Sequence, residues 1–193
     1  MPVATPRWPN LKDFERVVGD GVAMNTNTLP STDQPYVLDR DEGDHRHFLN
    51  HLATTKVAAG PGVSMSATEF VQPKGFGPPL HVHEDEDEIM IIHSGELACR
   101  SGDIELIAGP GATVWLPHGV PHTFQVLSDE ARVTVITGSS SGQPRFDRFV
   151  DELSTPADEP VLPEPVEIDP GQVAMAGARN GIELLGPPPA PLD

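Results

Sequence analysis

Positive charge is scarce in this sequence. Twelve Lys and Arg residues stand against 29 Asp and Glu residues, and the formal net charge at pH 7 is −17. The phosphates of nucleic acids and the headgroups of anionic lipids both require clustered Lys and Arg. Here the basic residues are scattered, and no glycine-rich phosphate loop is followed by a Lys. The sequence therefore predicts binding to neither nucleic acid nor membrane, and it disfavours phosphorylated substrates.

Long apolar runs and cysteines are also few. No segment approaches the roughly 18 consecutive apolar residues that a membrane helix needs. Residues 1–9 lack the basic and apolar regions of a secretory signal. The lone Cys99 can form no internal disulfide, and the strand-like stretch around it, 96–100, contains no His. We therefore expect a cytoplasmic protein in which Cys99 is a packed core thiol and not a nucleophile.

The 193 residues divide into three regions around one expected core. Residues 1–43 are rich in Pro, Asn, Thr and Asp, and they predict an irregular arm that packs on the main domain, with a short strand near 36–38. Residues 44–140 consist of short apolar or alternating runs separated by Gly, Pro, Ser and Asp turn signals. Residues 141–193 predict short helices and a Pro-rich tail.

The central region predicts an all-β fold. Many short strands at regular spacing are typical of an antiparallel barrel or sandwich, and no run has a convincing helical period. No internal repeat is present, which favours one barrel over a duplicated pair. The predicted strands are 49–58, 63–71, 80–83, 89–93, 96–100, 104–107, 113–116, 122–126 and 132–137.

The C-terminal region has a different pattern. Residues 144–153 place four apolar side chains at helical spacing beside charged ones, which predicts an amphipathic helix. Asp169, Pro170 and Gln172 have the order of an N-cap, a first-turn Pro and an N3 partner, so a second short helix should begin there and end before Gly181. Residues 186–193 are so rich in Pro that disorder is expected.

Four residues of the central region can converge on one metal ion. His81 and His83 are two apart in a strand-like stretch, so both side chains leave the same face. Glu88 lies at an odd separation from His83, so the chain must turn through 84–86 before Glu88 can rejoin that face. His122 follows a corner rich in Pro and Gly. Such a ligand set suits Fe, Ni, Mn, Co or Zn, and an octahedral ion would keep two positions for a substrate or dioxygen.

The complete spacing resembles the two sequence motifs of the cupin superfamily. A His-x-His pair alone is weak evidence for a metal, but here the whole pattern is present. The first motif is reproduced by Gly75, His81, His83, Glu88 and Gly95. The second is reproduced by Gly111, Pro117, Gly119 and His122. It departs only at Val126, where the family often has Asn. The resemblance implies an antiparallel cupin barrel, a jelly roll or double-stranded β-helix, with the metal at His81, His83, Glu88 and His122.

The layout beyond the barrel is similar to that of bacterial quercetinase-type cupins with one barrel, the flavonol 2,3-dioxygenases. The matching stretches are 146–152, 154–157 and the Pro-rich tail. This resemblance implies one divalent transition metal per chain, no organic cofactor, a small aromatic substrate and dioxygen. It also implies that a substrate hydroxyl loses its proton to Glu88, which would be both ligand and catalytic base. A homodimer is also expected.

Two other functions stay open. A non-catalytic cupin that binds a metal or a small molecule, as a sensor or a storage protein, is compatible with the same fold. A cupin isomerase or lyase would use the metal only as a Lewis acid. Isomerases of sugar phosphates would need Lys or Arg beside the site, and the motif regions offer little beyond Lys74 and Arg100, which disfavours this option.

Five apolar residues within the motifs either fill the core or form the wall of a cavity for a flat aromatic substrate. Parity from Glu88 predicts that two of them, Met90 and Ile92, point inward. The candidates for this substrate pocket are Phe76, Met90, Ile92, Trp115 and Phe124.

The remaining histidines are interpreted as structural or surface residues. His45 and His47 form a second His-x-His pair, followed by His51, but no carboxylate at ligand spacing joins them, which favours a solvated strand edge. By strand parity His93 points away from the predicted metal, and His118 occupies a variable position in the Pro-Gly corner.

Overall fold

The computed structural model describes residues 29–140 and 142–190, which form twelve strands and two short helices. Residues 1–28 of the predicted arm and 191–193 of the predicted tail lie outside the described residues. The elements in chain order are β1 (Asp44–Phe48), β2 (His51–Val57), β3 (Met65–Pro73), β4 (His81–His83), β5 (Glu86–Ser94), β6 (Leu97–Ser101), β7 (Ile104–Ala108), β8 (Thr113–Leu116), β9 (His122–Val126), β10 (Glu130–Ser139), α1 (Phe146–Glu152), β11 (Ser154–Pro156), α2 (Pro170–Arg179) and β12 (Ile182–Leu184).

The strands form two antiparallel sheets that face each other. One has seven strands in the order β11-β1-β2-β3-β10-β5-β8, and the other has five in the order β12-β4-β9-β6-β7. The predicted all-β fold of the jelly-roll type is therefore confirmed. Because β4 and β5 follow one another in the chain but belong to different sheets, the short turn between them carries the chain from one wall of the barrel to the other.

Alternating side chains fill the barrel. On β5 the buried residues are Glu86, Glu88, Met90 and Ile92, and the residues between them are more exposed. This is the period of two that a strand imposes. Met90 and Ile92 are almost fully buried, as their parity predicted. Burial of such a side chain contributes about 1.5–3 kcal/mol to stability.

Helix α1 packs on the inner side of the seven-stranded sheet. Its apolar residues Phe149 and Val150 are buried, and the ring of Phe149 lies 5.7 Å from that of Phe48 on β1. The ring of Phe146, at the start of α1, lies 6.0 Å from that of Phe70 on β3. The predicted amphipathic helix is therefore present, and it brings Phe146 into the interior of the barrel.

The second predicted helix is also present. The side chain of Asp169 caps α2 by accepting a hydrogen bond from the backbone N–H of Gly171 at 2.8 Å. Gly181 follows the helix with a φ of +73°, a conformation that glycine adopts without strain. This turn directs the chain into β12, which pairs with β4. Of the two described helices, neither has the length and apolar character needed to cross a membrane.

Two expectations for the chain ends were wrong. Residues 36–38 form no strand, because β11 takes the sheet position beside β1, and the Tyr36 hydroxyl instead donates to the Lys56 carbonyl at 2.8 Å.

The described part of the tail, 186–190, is ordered against the barrel. The N–H of Leu80 donates to the Pro187 carbonyl at 3.3 Å, and the Gln125 amide donates to the Ala190 carbonyl at 2.7 Å. Prolines suit this position because a chain at a sheet edge needs few N–H donors of its own.

Candidate metal centre

Three histidines meet inside the barrel. His81 and His83 come from β4, and His122 comes from the neighbouring strand β9, where it pairs directly with His81. One ring nitrogen of each lies within 4.8 Å of the corresponding nitrogens of the other two. This is the only such group among the described residues. The predicted trio is therefore brought together by strand parity on β4 and by register between β4 and β9.

Glu88 joins this trio from the opposite sheet. The chain turns at residues 84–85, within the predicted turn 84–86, and Glu86 already begins β5, which brings the carboxylate back toward the histidines. Its Oε2 lies 3.5 Å from Nε2 of His83 and 3.8 Å from Nε2 of His122. Oxygen and nitrogen atoms at these separations can bind a common ion with small adjustments of the side chains.

Backbone carbonyls fix the orientation of two of the imidazoles. The Nδ1–H of His81 donates to the Pro79 carbonyl at 2.8 Å, and the Nδ1–H of His122 donates to the Val120 carbonyl at 3.0 Å. A carbonyl can only accept, so in each ring Nδ1 carries the proton and Nε2 keeps its lone pair. This arrangement is the usual one for a metal-binding histidine.

Several buried nitrogens of the site have no hydrogen-bond partner among the described residues. They are Nδ1 and Nε2 of His83 and Nε2 of His122. A buried polar atom without a partner costs about 1–3 kcal/mol. Such atoms are rare and need an explanation. A divalent cation would satisfy the two Nε2 atoms, and the donor set of three imidazoles and one carboxylate fits a transition metal.

Burial sets the protonation of the site in the metal-free chain. It lowers the pKa of His81 to about 3, with help from the neighbouring His122, and it holds the pKa of His83 well below the usual value. Both rings are therefore neutral near pH 7, which is the form that binds metals. Burial also raises the pKa of Glu88 to about 7. A cation at this position would offset the cost of the buried carboxylate.

Other side chains near the site were not identified from the sequence. The ring of Phe146 lies 5.8 Å from that of His83, and Oε2 of Glu86 lies 4.0 Å from Nδ1 of His83. Thr137 pairs with Glu88 across the sheet, and its hydroxyl is 2.7 Å from that of Ser66. Glu86 has the same parity as Glu88 in the sequence, which is a signal that could have found it. The approach of Phe146 depends on how α1 packs and has no comparable signal.

Of the residues predicted for the substrate pocket, the structure buries Met90 and Ile92 and exposes Trp115. Met90 and Ile92 are buried inside the barrel, and Phe76 and Phe124 are half-buried with their rings 6.3 Å apart. Trp115 is 55% exposed, so its side chain points outward. The reason is parity, because the residue of β8 that pairs with Glu88 is Leu116.

The solvated strand edge predicted for His45, His47 and His51 is also wrong in part. His45 is buried, and its ring nitrogens lie 3.0 Å from the Thr54 hydroxyl and 3.2 Å from the Asp41 carbonyl. His51 is buried with its ring 4.3 Å from that of Phe76, and His47 is half-buried. These three residues are not part of the metal-ligand group found among the described residues.

The structural or surface role predicted for His93 and His118 agrees with their surroundings. Both side chains are exposed. The ring of His93 is 2.7 Å from the Thr134 hydroxyl, and that of His118 is 2.7 Å from the Asp87 carboxylate. Cys99 is buried with a free thiol, as predicted.

The barrel region is similar to a known protein family. Residues 67–137 match the family described as the cupin domain. Quercetin 2,3-dioxygenase of Bacillus subtilis (strain 168) is 30% identical over 115 residues. This alignment covers 58% of the present chain and 34% of that protein, so the chain spans only about a third of the relative's length.

Solved structures with similarity to this chain include two bacterial proteins. TT1209 from Thermus thermophilus is 29% identical with a TM-score of 0.38, over 44% of this chain and 84% of that one. KdgF from Halomonas sp. is 18% identical with a TM-score of 0.43, over 59% of this chain and 94% of that one.

Proposed function

We propose that this chain, whose barrel contains a cupin domain, is a metal-dependent dioxygenase acting on an enolic or flavonol-like aromatic small molecule. The observation that carries the proposal is the group of buried, partnerless imidazole nitrogens that face the carboxylate of Glu88. His81, His83, His122 and Glu88 would hold one divalent transition metal. The quercetin 2,3-dioxygenase relative supports the choice of reaction and of substrate class.

The bound metal would act as a Lewis acid on a substrate hydroxyl and provide a path for electrons between substrate and dioxygen. The part of the chain that handles the proton is Glu88. Its Oε2 lies toward the imidazoles, and we assign Oε1 to accept the proton of the substrate hydroxyl. Burial raises the pKa of Glu88 to about 7 in the metal-free chain, which suits a general base near neutral pH.

The apolar interior next to the site would exclude water and hold an aromatic ring. Phe146 packs against His83, and Met90 lies on the same face of β5 as Glu88. Aromatic and thioether side chains contact flat rings well. In this arrangement the chain binds and orients the substrate, and the carboxylate of Glu88 removes its proton.

A second candidate is a cupin that only binds a metal or a small molecule. The burial of the site favours it, since even His81, the most exposed of the four, is 9% exposed. A cavity of about 680 Å³ lies on another part of the barrel, where Leu80, Arg100 and Phe124 are among its lining residues. None of the four predicted ligands lines this cavity.

Oxygen uptake separates the two candidates. Metal-free protein would be loaded with Fe, Ni, Mn, Co or Zn in turn, and oxygen consumption would be measured with a panel of flavonols. We expect at least one metal to give oxygen uptake in step with loss of substrate. His122→Ala should abolish this uptake, and His47→Ala, outside the site, should keep it. Metal near one ion per chain without uptake from any flavonol would favour the binding protein.

A further inference from the structure

We propose that Glu86 is a positioning residue that fixes His83 by accepting a hydrogen bond from its Nδ1–H. The inference rests on the proposed metal site and concerns how one of its ligands is held. His81 and His122 each donate Nδ1–H to a backbone carbonyl. His83 has no such partner among the described residues, and the group that faces its Nδ1 is the carboxylate of Glu86, with Oε2 at 4.0 Å.

The carboxylate of Glu86 is itself held firmly. Glu86 is 2% exposed on the inner face of β5. Its Oε1 accepts a hydrogen bond from the backbone N–H of Arg145 at 2.5 Å, and its Oε2 accepts one from the N–H of Phe146 at 3.3 Å. These two donors lie at the start of α1. The carboxylate is therefore a fixed acceptor whose position depends on the docking of α1.

The remaining gap can be closed by the imidazole. An N–H···O bond to a carboxylate is about 2.7–2.9 Å long, so a small movement of the His83 ring toward Glu86 would form it. The movement is favoured because a buried N–H without an acceptor destabilises the folded chain. Binding of a metal through Nε2 requires the proton to be on Nδ1. A carboxylate acceptor would fix that tautomer and make Nε2 a stronger electron-pair donor to the metal. The structure thus links α1 to the metal site through Glu86.

Zinc affinity of three variants tests this role. Loss of a residue that orients a ligand typically weakens metal binding 10- to 100-fold. We expect this loss for Glu86→Ala and a smaller one for Glu86→Gln, which keeps a neutral acceptor. Asp147→Asn is the control for loosening of α1, because its carboxylate accepts hydrogen bonds from the N–H groups of Ala59 and Arg148 and is not an acceptor facing His83. It should leave zinc affinity within about twofold.

A spectroscopic readout separates positioning from a purely structural role. In protein with ¹⁵N-labelled histidine and bound zinc, Glu86→Gln should shift the Nδ1 resonance of His83 and leave those of His81 and His122 in place. Unchanged His83 resonances, or equal zinc loss in Asp147→Asn and Glu86→Ala, would overturn the proposal. Wild-type protein that binds no zinc would instead overturn the proposed metal site. The Nδ1 tautomer of His83 would then be compared between metal-free wild type and Glu86→Ala, and an identical tautomer would remove the role of Glu86.

Discussion

Three of the histidines are predicted metal ligands, and the others are not. Removal of His81, His83 or His122 takes one nitrogen from the group that would bind the ion, and water must fill the vacant ligand position. We predict that Ala at any of these three positions loses most of the bound metal, measured by elemental analysis after loading and desalting. His47→Ala and His45→Ala should keep it, because neither residue belongs to the group. Equal metal loss in both sets would show that the site lies elsewhere.

Glu88 can be tested for two roles with one substitution. Gln retains the size of Glu and one coordinating oxygen, so Glu88→Gln should keep part of the bound metal. Gln cannot take the proton of a substrate hydroxyl. We therefore predict that turnover per bound metal falls by roughly 10²- to 10⁴-fold, the usual value of general base catalysis. Oxygen uptake and metal content would be measured on the same preparation.

The outcome for Glu88 is clear in either direction. Unchanged turnover per bound metal would leave Glu88 as a ligand only. The matched control is Glu84→Gln, since Glu84 has an exposed side chain in the turn between β4 and β5. That variant should keep both metal and turnover.

His51 makes stability depend on pH. Complete burial lowers its pKa in the folded chain to about 3. The unfolded chain has an ordinary histidine pKa of about 6.5, so below that pH the unfolded state binds a proton that the folded state does not. Stability from this residue is therefore fully present above pH ~6.5 and declines by about 1.4 kcal/mol per pH unit as the pH falls toward ~3.

The variant His51→Phe should remove this dependence, because the new ring still suits the neighbours Phe48 and Phe76. We predict that the free energy of unfolding of the wild type relative to His51→Phe falls by about 1.4 kcal/mol between pH 7.5 and pH 5.5. Urea unfolding at the two pH values measures it. His93→Gln, at an exposed position, is the control, and its free energy of unfolding should change between the two pH values as that of the wild type does. A parallel pH response of wild type and His51→Phe would contradict the prediction.

At the level of elements, the strand with two ligands is supported mostly by the C-terminus. β4 has three residues and shares one residue pair with β9, His81 with His122. With β12 it shares three pairs. The ladder continues on both sides, since the N–H of Glu84 donates to the Gly181 carbonyl at 2.9 Å and the N–H of Leu185 donates to the Leu80 carbonyl at 2.7 Å. The position of both histidines therefore depends on β12.

Glu183→Pro tests this dependence. Hydrogen-bonded pairs alternate with non-bonded pairs along an antiparallel ladder. The N–H groups of Glu84 and Leu185 make the bonds on either side, so the pair of Glu183 and Val82, midway between them, should exchange hydrogen bonds too. Pro removes the N–H, and the side chain of Glu183 is exposed, so the effect comes from the backbone. We predict zinc binding weaker by about 1 kcal/mol, roughly fivefold. Glu183→Ala is the control and should bind zinc normally; equal affinities for the two variants would contradict the dependence.

The sequence predicted the elements whose pattern is local. The nine central strands follow from alternation and turn signals, and α1 and α2 follow from helical spacing and the cap at Asp169. β11 and β12 were missed because each pairs with a strand far away in the sequence, β1 or β4. β1 was predicted only as a strand edge at His45 and His47, although it pairs with the neighbouring β2. Trp115 was assigned to the interior because β8 contains no predicted metal ligand from which to decide which of its residues point inward. The inward position opposite Glu88 is occupied by the neighbouring Leu116.

The candidate site shows the same division. His81, His83, Glu88 and His122 could be found from spacing, and the structure brings all four together. Glu86 and Phe146 could not be assigned to it, because their place near His83 exists only after α1 docks into the barrel. The burial of His45 and His51 could not be predicted from the sequence either. His45 contacts Asp41 of the arm, and His51 packs against aromatic side chains such as Phe70 on β3.

For the whole molecule, metal binding and folding should be coupled. The net charge of −17 attracts cations in general. The buried Nε2 atoms of His83 and His122, however, come together only in the folded chain. A ligand that binds only the folded state stabilises it by about 4 kcal/mol when its free concentration is 1,000 times Kd. For a chain of this size each kcal/mol raises Tm by about 2–4 °C.

We therefore predict that a strong chelator lowers Tm by about 8–16 °C and that added zinc restores it. Calorimetry or circular dichroism measures the shift, with protein and free zinc concentrations held constant. His122→Ala is the control, because its Tm should respond little to either treatment once a ligand is missing. The size of the shift also reports on the site itself, since a cation bound at scattered surface carboxylates would stabilise the wild type and His122→Ala alike. An equal response of the two proteins would place the zinc outside the barrel and contradict the coupling.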